Sequence, residues 1–181
     1  MTGRDELDGA QDRAGRGASP LGGGWLVWLA TGAWLGLVPW APGTVGALWG
    51  LPLAWGISRI PHLSLQVLVI LALCIGGIPL CTRAARTLGQ KDPGAVVWDE
   101  IASLPIVFFL VDPQLVSRPS VLATGFVLHR VFDIAKPPPI RRLERLPEGL
   151  GVMADDWVAA AYASLVLHLA LWLRLVPWGG W

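Results

Sequence analysis

A chain of 181 residues that is 54% hydrophobic and only 15% charged falls well short of the roughly 25% charge of ordinary soluble domains. Its formal net charge of +1 leaves no bulk electrostatic case for nucleic acid, and its length suits one domain. Eleven tryptophans against one tyrosine supply a side chain that favours the membrane–water boundary, so composition selects an integral membrane protein.

Residues 1–20 mix Arg4, Arg13 and Arg16 with Asp5, Glu6, Asp8 and Asp12 among small residues. That composition predicts a disordered polar tail, and its acids argue against a secretory signal. The remainder, 21–181, reads as one membrane-embedded helical domain. Six apolar stretches follow one another at about 25–38, 44–59, 63–82, 94–111, 120–135 and 153–176. Only some reach the roughly 20 residues of an upright span; the third, free of charge from Leu63 to Leu80, is the clearest. The first two are short and rich in glycine, and Pro52 predicts a kink. Gly32/Gly36 and Gly46/Gly50 are small residues four apart, a spacing that lets helices approach closely in lipid. The expected fold is therefore all-α, a polytopic helical membrane bundle of short, Gly/Pro-broken helices with four to six spans. Cys74 and Cys81 lie about 10 Å apart along one helix, too far to bridge, and read as small core residues.

Basic residues set the orientation. The connection 83–93 carries Arg83, Arg86 and Lys91, and 136–151 carries Lys136, Arg141, Arg142 and Arg145. The opposite connections hold Arg59 and Arg118, so the two basic loops are expected in the cytosol. Threaded this way, Asp99-Glu100 fall one to two turns inside the fourth helix, Asp133 at the exit of the fifth, and Asp155-Asp156 in the first turn of the sixth. All three clusters then share one membrane face with the loop Pro42-Gly43-Thr44. A carboxylate at bilayer depth costs roughly 2.5–3.5 kcal/mol on insertion scales and is usually paired or functional. Five such groups can hold a divalent cation.

Each motif has a plainer reading beside it. Arg130-x-x-Asp133-x-x-Lys136 puts three charges on one helical stripe. It is either a charge ladder at a helix end or a pair of phosphate-binding cations around a metal-binding acid. Pro137-Pro138-Pro139 is expected to stop that helix and run on extended. Asp92-Pro93 reads as a helix cap. Gly149-Leu150-Gly151 reads as a flexible loop into a helix whose early acids could simply complement the dipole. Ala41-Pro42-Gly43-Thr44 is either a tight turn or a place where backbone N–H groups and the Thr44 hydroxyl meet an anion. It lacks the Gly-Lys-Ser/Thr ending of a nucleotide-binding loop. Asp112-Pro113 reads as a helix stop at the far side. His62 and His168 read as structural, and His129, beside Arg130, is a candidate proton carrier.

Together these strings resemble the phosphatidylglycerophosphatase A family. The matching stretches are Thr31-Gly32 to Pro39, Ala41 to Gly46 running into Gly50-Leu51-Pro52-Leu53, Asp92-Pro93-Gly94, and Val97-Trp98-Asp99-Glu100. Arg130 to Ile134 with Lys136-Pro137 and Pro139-Ile140 follow, then Gly149 to Asp156. The resemblance implies a magnesium-dependent lipid phosphatase of bacterial inner membranes that converts phosphatidylglycerophosphate to phosphatidylglycerol. It implies Mg2+ as cofactor, with Asp99, Glu100, Asp133, Asp155 and Asp156 as metal-binding and catalytic acids and Arg130 and Lys136 as phosphate contacts. Thr44 joins them as a phosphate contact on the anion reading of its loop. Partners would be the phospholipid substrate and membrane lipids; oligomeric state is open. One departure stands out, since the family's usual glycine pair before the last motif is Glu148-Gly149 here, a change that could alter loop flexibility or place an extra acid near the expected site. Metal-activated water and an aspartate nucleophile are both compatible with these residues. The rival classes are an ion-coupled transporter, whose acids should spread through membrane depth, and a phosphatase of another lipid or a soluble ester.

Overall fold

Helix boundaries in this chain follow from where proline removes a donor and where glycine permits close approach. The computed structural model describes residues 24–90 and 93–177; the polar tail, Lys91 and the Asp92 cap lie outside them. Every regular element among the described residues is helical. In chain order the α-helices are α1 (Gly24–Ala30), α2 (Pro42–Ala47), α3 (Gly50–Ser58), α4 (Leu63–Leu88), α5 (Trp98–Val107), α6 (Pro113–Val116), α7 (Pro119–Ala135), α8 (Ile140–Leu143) and α9 (Glu148–Trp172), with a 3-10 turn at Leu35–Leu37 between the first two.

The first stretch breaks after Ala30, where Gly32, Ala33 and Trp34 adopt positive φ. The second divides into α2 and α3 between Ala47 and Gly50. Pro52 cannot donate to Leu48, the carbonyl four residues back, and the Leu51 N–H serves that carbonyl instead at 3.2 Å. The expected kink is thus a full break.

Four expectations need correction. The fourth helix begins at Trp98, not near 94, because 93–97 closes as a turn: the Val96 N–H donates to Pro93 O at 2.8 Å and the Val97 N–H to Ala30 O at 2.9 Å. The last helix begins at Glu148, five residues earlier than its apolar stretch. Its glycines serve close packing, not looseness. A Cβ at Gly149 would lie 2.2 Å from the Ile78 carbonyl oxygen, and one at Gly151 would lie 2.6 Å from that of Leu146. Pro137–Pro139 form a turn leading into α8, with the Ile140 N–H donating to Pro137 O at 2.9 Å. Asp112, read as a stop, also starts a helix: its carboxylate accepts the Gln114 N–H at 2.7 Å and caps α6.

α9 runs antiparallel to α4, with the Gly149 N–H donating to Thr82 Oγ1 at 3.0 Å and Met153 packed against Gly77. It also packs on α5 and α7. One core cluster joins α5, α7 and α9 through Leu104, Phe108, Val121 and Leu167. The other joins α1, α4, α5 and α9 through Ala30, Cys74, Cys81, Ala102 and Met153. Both cysteines are free and buried. α4 and α9 are long and apolar enough to cross a membrane.

Candidate active site

Where the starts of α5 and α9 meet the end of α7, the bundle opens into a cleft of about 410 Å³. All eight residues singled out from the sequence line it: Thr44, Asp99, Glu100, Arg130, Asp133, Lys136, Asp155 and Asp156. Arg83 and Arg86 near the end of α4, and Arg141 and Arg142 on α8, belong to this same end of the molecule.

Asp99 and Glu100 occupy the first turn of α5, where the helix N-terminus favours negative charge. Neighbours on a helix point about 100° apart. Asp99 is buried, and Glu100 turns to Arg130, whose Nη1 is 2.8 Å from its Oε1. The same Nη1 is 2.8 Å from Asp133 Oδ2, three residues along α7. Half of the proposed stripe is therefore an i,i+3 ion pair. Lys136 leaves the stripe: it sits past the helix end with φ +46°. From there its ammonium donates to Asp155 Oδ2 at 2.9 Å and to Glu144. Burial lowers the Lys136 pKa, but hydrogen bonds to Glu144 and Asp155, with their charges, outweigh it and leave it raised.

Asp155 and Asp156 lie about two turns inside α9, so dipole complementation of a helix start does not account for them. Both are buried. Among the described residues Asp155 Oδ1 and Asp156 Oδ1 find no hydrogen-bond partner, an expensive state for a buried carboxylate. Behind Asp156 stands His129, fully buried. Its Nε2 is 3.7 Å from Asp156 Oδ1 and 3.2 Å from Ser103 Oγ. It lies outside the lining of the cleft, on the core side of Asp156.

The sequence reading missed three contributors. Glu144 grips Lys136, and Ser103 holds His129 while donating to the Glu100 carbonyl at 3.2 Å. Gly43 is the third. Its backbone presses so closely on Glu100 that an added Cβ would fall 2.1 Å from Oε1. Gly43 was noted only as part of an anion-binding loop. Glu148, expected as an extra acid near the site, points away and pairs with Arg86 at the surface.

Five carboxylates against two cations leave the cleft with surplus negative charge and oxygen-only donors. Among the described residues no group of three or more acidic, histidine or cysteine side chains is arranged to hold a metal ion by itself, so water and substrate oxygens would have to complete any coordination shell. Such a donor set suits a hard cation that keeps part of its water shell.

Residues 28–171 match the family model described as phosphatidylglycerophosphatase A. The chain is similar to phosphatidylglycerophosphatase A of Escherichia coli, 36% identical over 144 residues that cover 77% of this chain and 80% of the relative. It is 42% identical over 142 residues to phosphatidylglycerophosphatase A of Haemophilus influenzae, covering 77% of this chain and 84% of that one. A Bacteroides thetaiotaomicron protein named as a candidate phosphatidylinositol-3-phosphatase is 32% identical over 152 residues, 81% of this chain and 94% of its own. No solved structure matches.

Proposed function

The chain belongs to the phosphatidylglycerophosphatase A family, and from that premise we propose that it hydrolyses phosphatidylglycerophosphate to phosphatidylglycerol and phosphate. In this reading it is a magnesium-dependent phosphoric monoester hydrolase, embedded in a bacterial inner membrane with its cleft facing the cytosol. The observation that carries the reading is the meeting of eight residues from four distant motifs in one acid-rich cleft.

Asp155 and Asp156 would hold the cation, through oxygens that no hydrogen bond from the described residues occupies, with water and substrate phosphate completing its shell. Magnesium in that position supplies Lewis acidity toward a phosphoryl oxygen. Arg130 and Lys136 present N–H donors to the phosphate, the arginine as a planar fork and the lysine as a point charge. Asp133 and Glu100 hold Arg130 at the wall, and Glu144 holds Lys136. Each cation is therefore aimed before substrate arrives, which lowers the reorganisation needed as charge develops.

Membrane embedding is supported by α4, only 22% buried over its apolar window, whereas the core helix of a soluble protein is mostly covered. Its exposed Leu63, Leu68, Leu71 and Ile75 suit lipid. The arginines flanking the cleft favour the cytosolic side. Gathering of the acids at one end, not through the depth of the bundle, favours hydrolysis over transport.

The test is phosphate release by purified protein from phosphatidylglycerophosphate, with magnesium or with chelator. Release that requires magnesium is expected; release surviving full chelation would remove the metal. The Bacteroides relative motivates one second substrate, phosphatidylinositol 3-phosphate, in the same assay. Faster turnover of that lipid would reassign the headgroup.

A further inference from the structure

Beside the acid-rich cleft, separated from it by the short wall 94–98, lies an apolar groove of about 440 Å³ between α1 and α4. Gly94 and Val96 of that wall face the cleft, while Trp98 faces the groove. The groove follows α4 from Val69 through Leu73 and Gly76 to Arg83. Those positions span about 20 Å at 1.5 Å per residue, longer than the roughly 15 Å half-thickness of a bilayer's hydrocarbon core. Among the described residues Arg83 is the one charged side chain lining it, and it stands at the cleft's end of the helix. The floor is open at Gly76, where an added Cβ would meet nothing within 4 Å.

We propose that this groove seats an acyl chain of the phospholipid substrate, with Arg83 meeting the anionic phosphodiester at its mouth while the terminal phosphate crosses 94–98 into the cleft. An apolar trough ending in a cation, one strand of backbone away from a phosphate-binding cleft, matches a diacyl phospholipid bearing two phosphates. Ordinary bilayer lipid could fill the trough and offer its phosphodiester to the arginine, but it has no terminal phosphate for the adjoining cleft. The assignment rests on the lipid-phosphatase reading above and adds where the lipid lies.

The groove can be plugged without disturbing the core. Gly76→Phe adds a ring into open space, about 10 Å along α4 from Arg83 and out of reach of a six-carbon chain. Kinetics on dioleoyl and dihexanoyl phosphatidylglycerophosphate should show the preference for the long chain, read as the ratio of KM values, falling about tenfold, the loss of roughly two buried methylenes. Arg83→Gln should raise KM for the dioleoyl lipid about fivefold, with kcat held. Gly56→Phe on α3, where an added side chain also meets open space, should leave the ratio unchanged. An unaltered ratio in Gly76→Phe would overturn the proposal.

A second measurement does not depend on turnover. Phosphatidic acid with a photoactivatable diazirine in its acyl chain should label residues 69–83 of the protein in lipid nanodiscs. Gly76→Phe should abolish that labelling, and phosphatidylcholine with the same diazirine should label more weakly. Equal labelling by both lipids, indifferent to Gly76→Phe, would identify bulk lipid only and sink the assignment. If no lipid is hydrolysed but the selective labelling stands, the substrate reading fails and the groove survives as an anionic-lipid site.

Discussion

The two long helices, α4 and α9, have nearly the same length, yet they do opposite work. α4 keeps 22% of its apolar window buried and α9 keeps 50%. α4 offers Leu68, Leu71 and Ile75 outward and carries no acid. α9 touches α4, α5 and α7 and buries two adjacent carboxylates. Hydropathy alone makes both look like spans. Burial separates a helix that leaves an apolar face uncovered from one that organises the interior, and the second places buried charge where other helices answer it.

The sharpest way to break that contrast is to neutralise charge on the central helix. Asp155→Asn should cut phosphate release by roughly three orders of magnitude or more, with the thermal midpoint in detergent little changed. Asp99→Asn, facing the same cleft from α5, should do likewise; normal rates in both would end the assignment of the cleft. Next come truncations on the two helices. Leu167→Ala on α9, fully buried, should cost about 2–5 kcal/mol. Leu68→Ala on the outer face of α4 should stay within about 0.5 kcal/mol, as measured by denaturation in mixed micelles.

Adjacent glycines sharpen the comparison within α4 itself. At Gly77 an added Cβ would lie 2.6 Å from the Met153 methyl carbon and 2.9 Å from Trp98, whereas Gly76 faces open space. Gly77→Leu should therefore destabilise by about 1–3 kcal/mol through overpacking, and Gly76→Leu should be tolerated. The smallest effect is expected at the start of α9. Glu148 holds φ +51°, a region that costs a residue with Cβ about 1–2 kcal/mol. Its ion pair with Arg86 is largely exposed and is worth about 0–1 kcal/mol. Glu148→Gly should raise the melting temperature slightly, and a clear fall would show that the ion pair outweighs the strain.

Much of this architecture was legible in the sequence, for reasons that differ by feature. Apolar runs marked where helices lie, and carboxylates within them stood out because burial of charge is costly. The apolar stretch 120–135 matches α7 to within a residue, because the prolines that follow it mark where the helix must end. The start of α9 was misread because Gly149 and Gly151 look like loop residues until the Ile78 and Leu146 carbonyls they press against are known. The start of α5 was misread because Pro93 usually opens a helix, while here 93–97 is tied to Ala30 instead. At the site, the acids and cations were visible as charge, but their pairing was not. Which oxygen Arg130 holds, and that Glu144 reaches Lys136, depends on contacts between segments that no local pattern encodes.

The close approach of Gly43 to Glu100 means that one wall of the cleft is made by a residue with no side chain. In a saturation library scored for phosphate release, position 43 should reject bulky side chains, and alanine should lower the rate to the extent that it pushes the Glu100 carboxylate off Arg130. A survey that ranks residues by chemical reactivity would pass over it, because what this residue contributes is vacant volume.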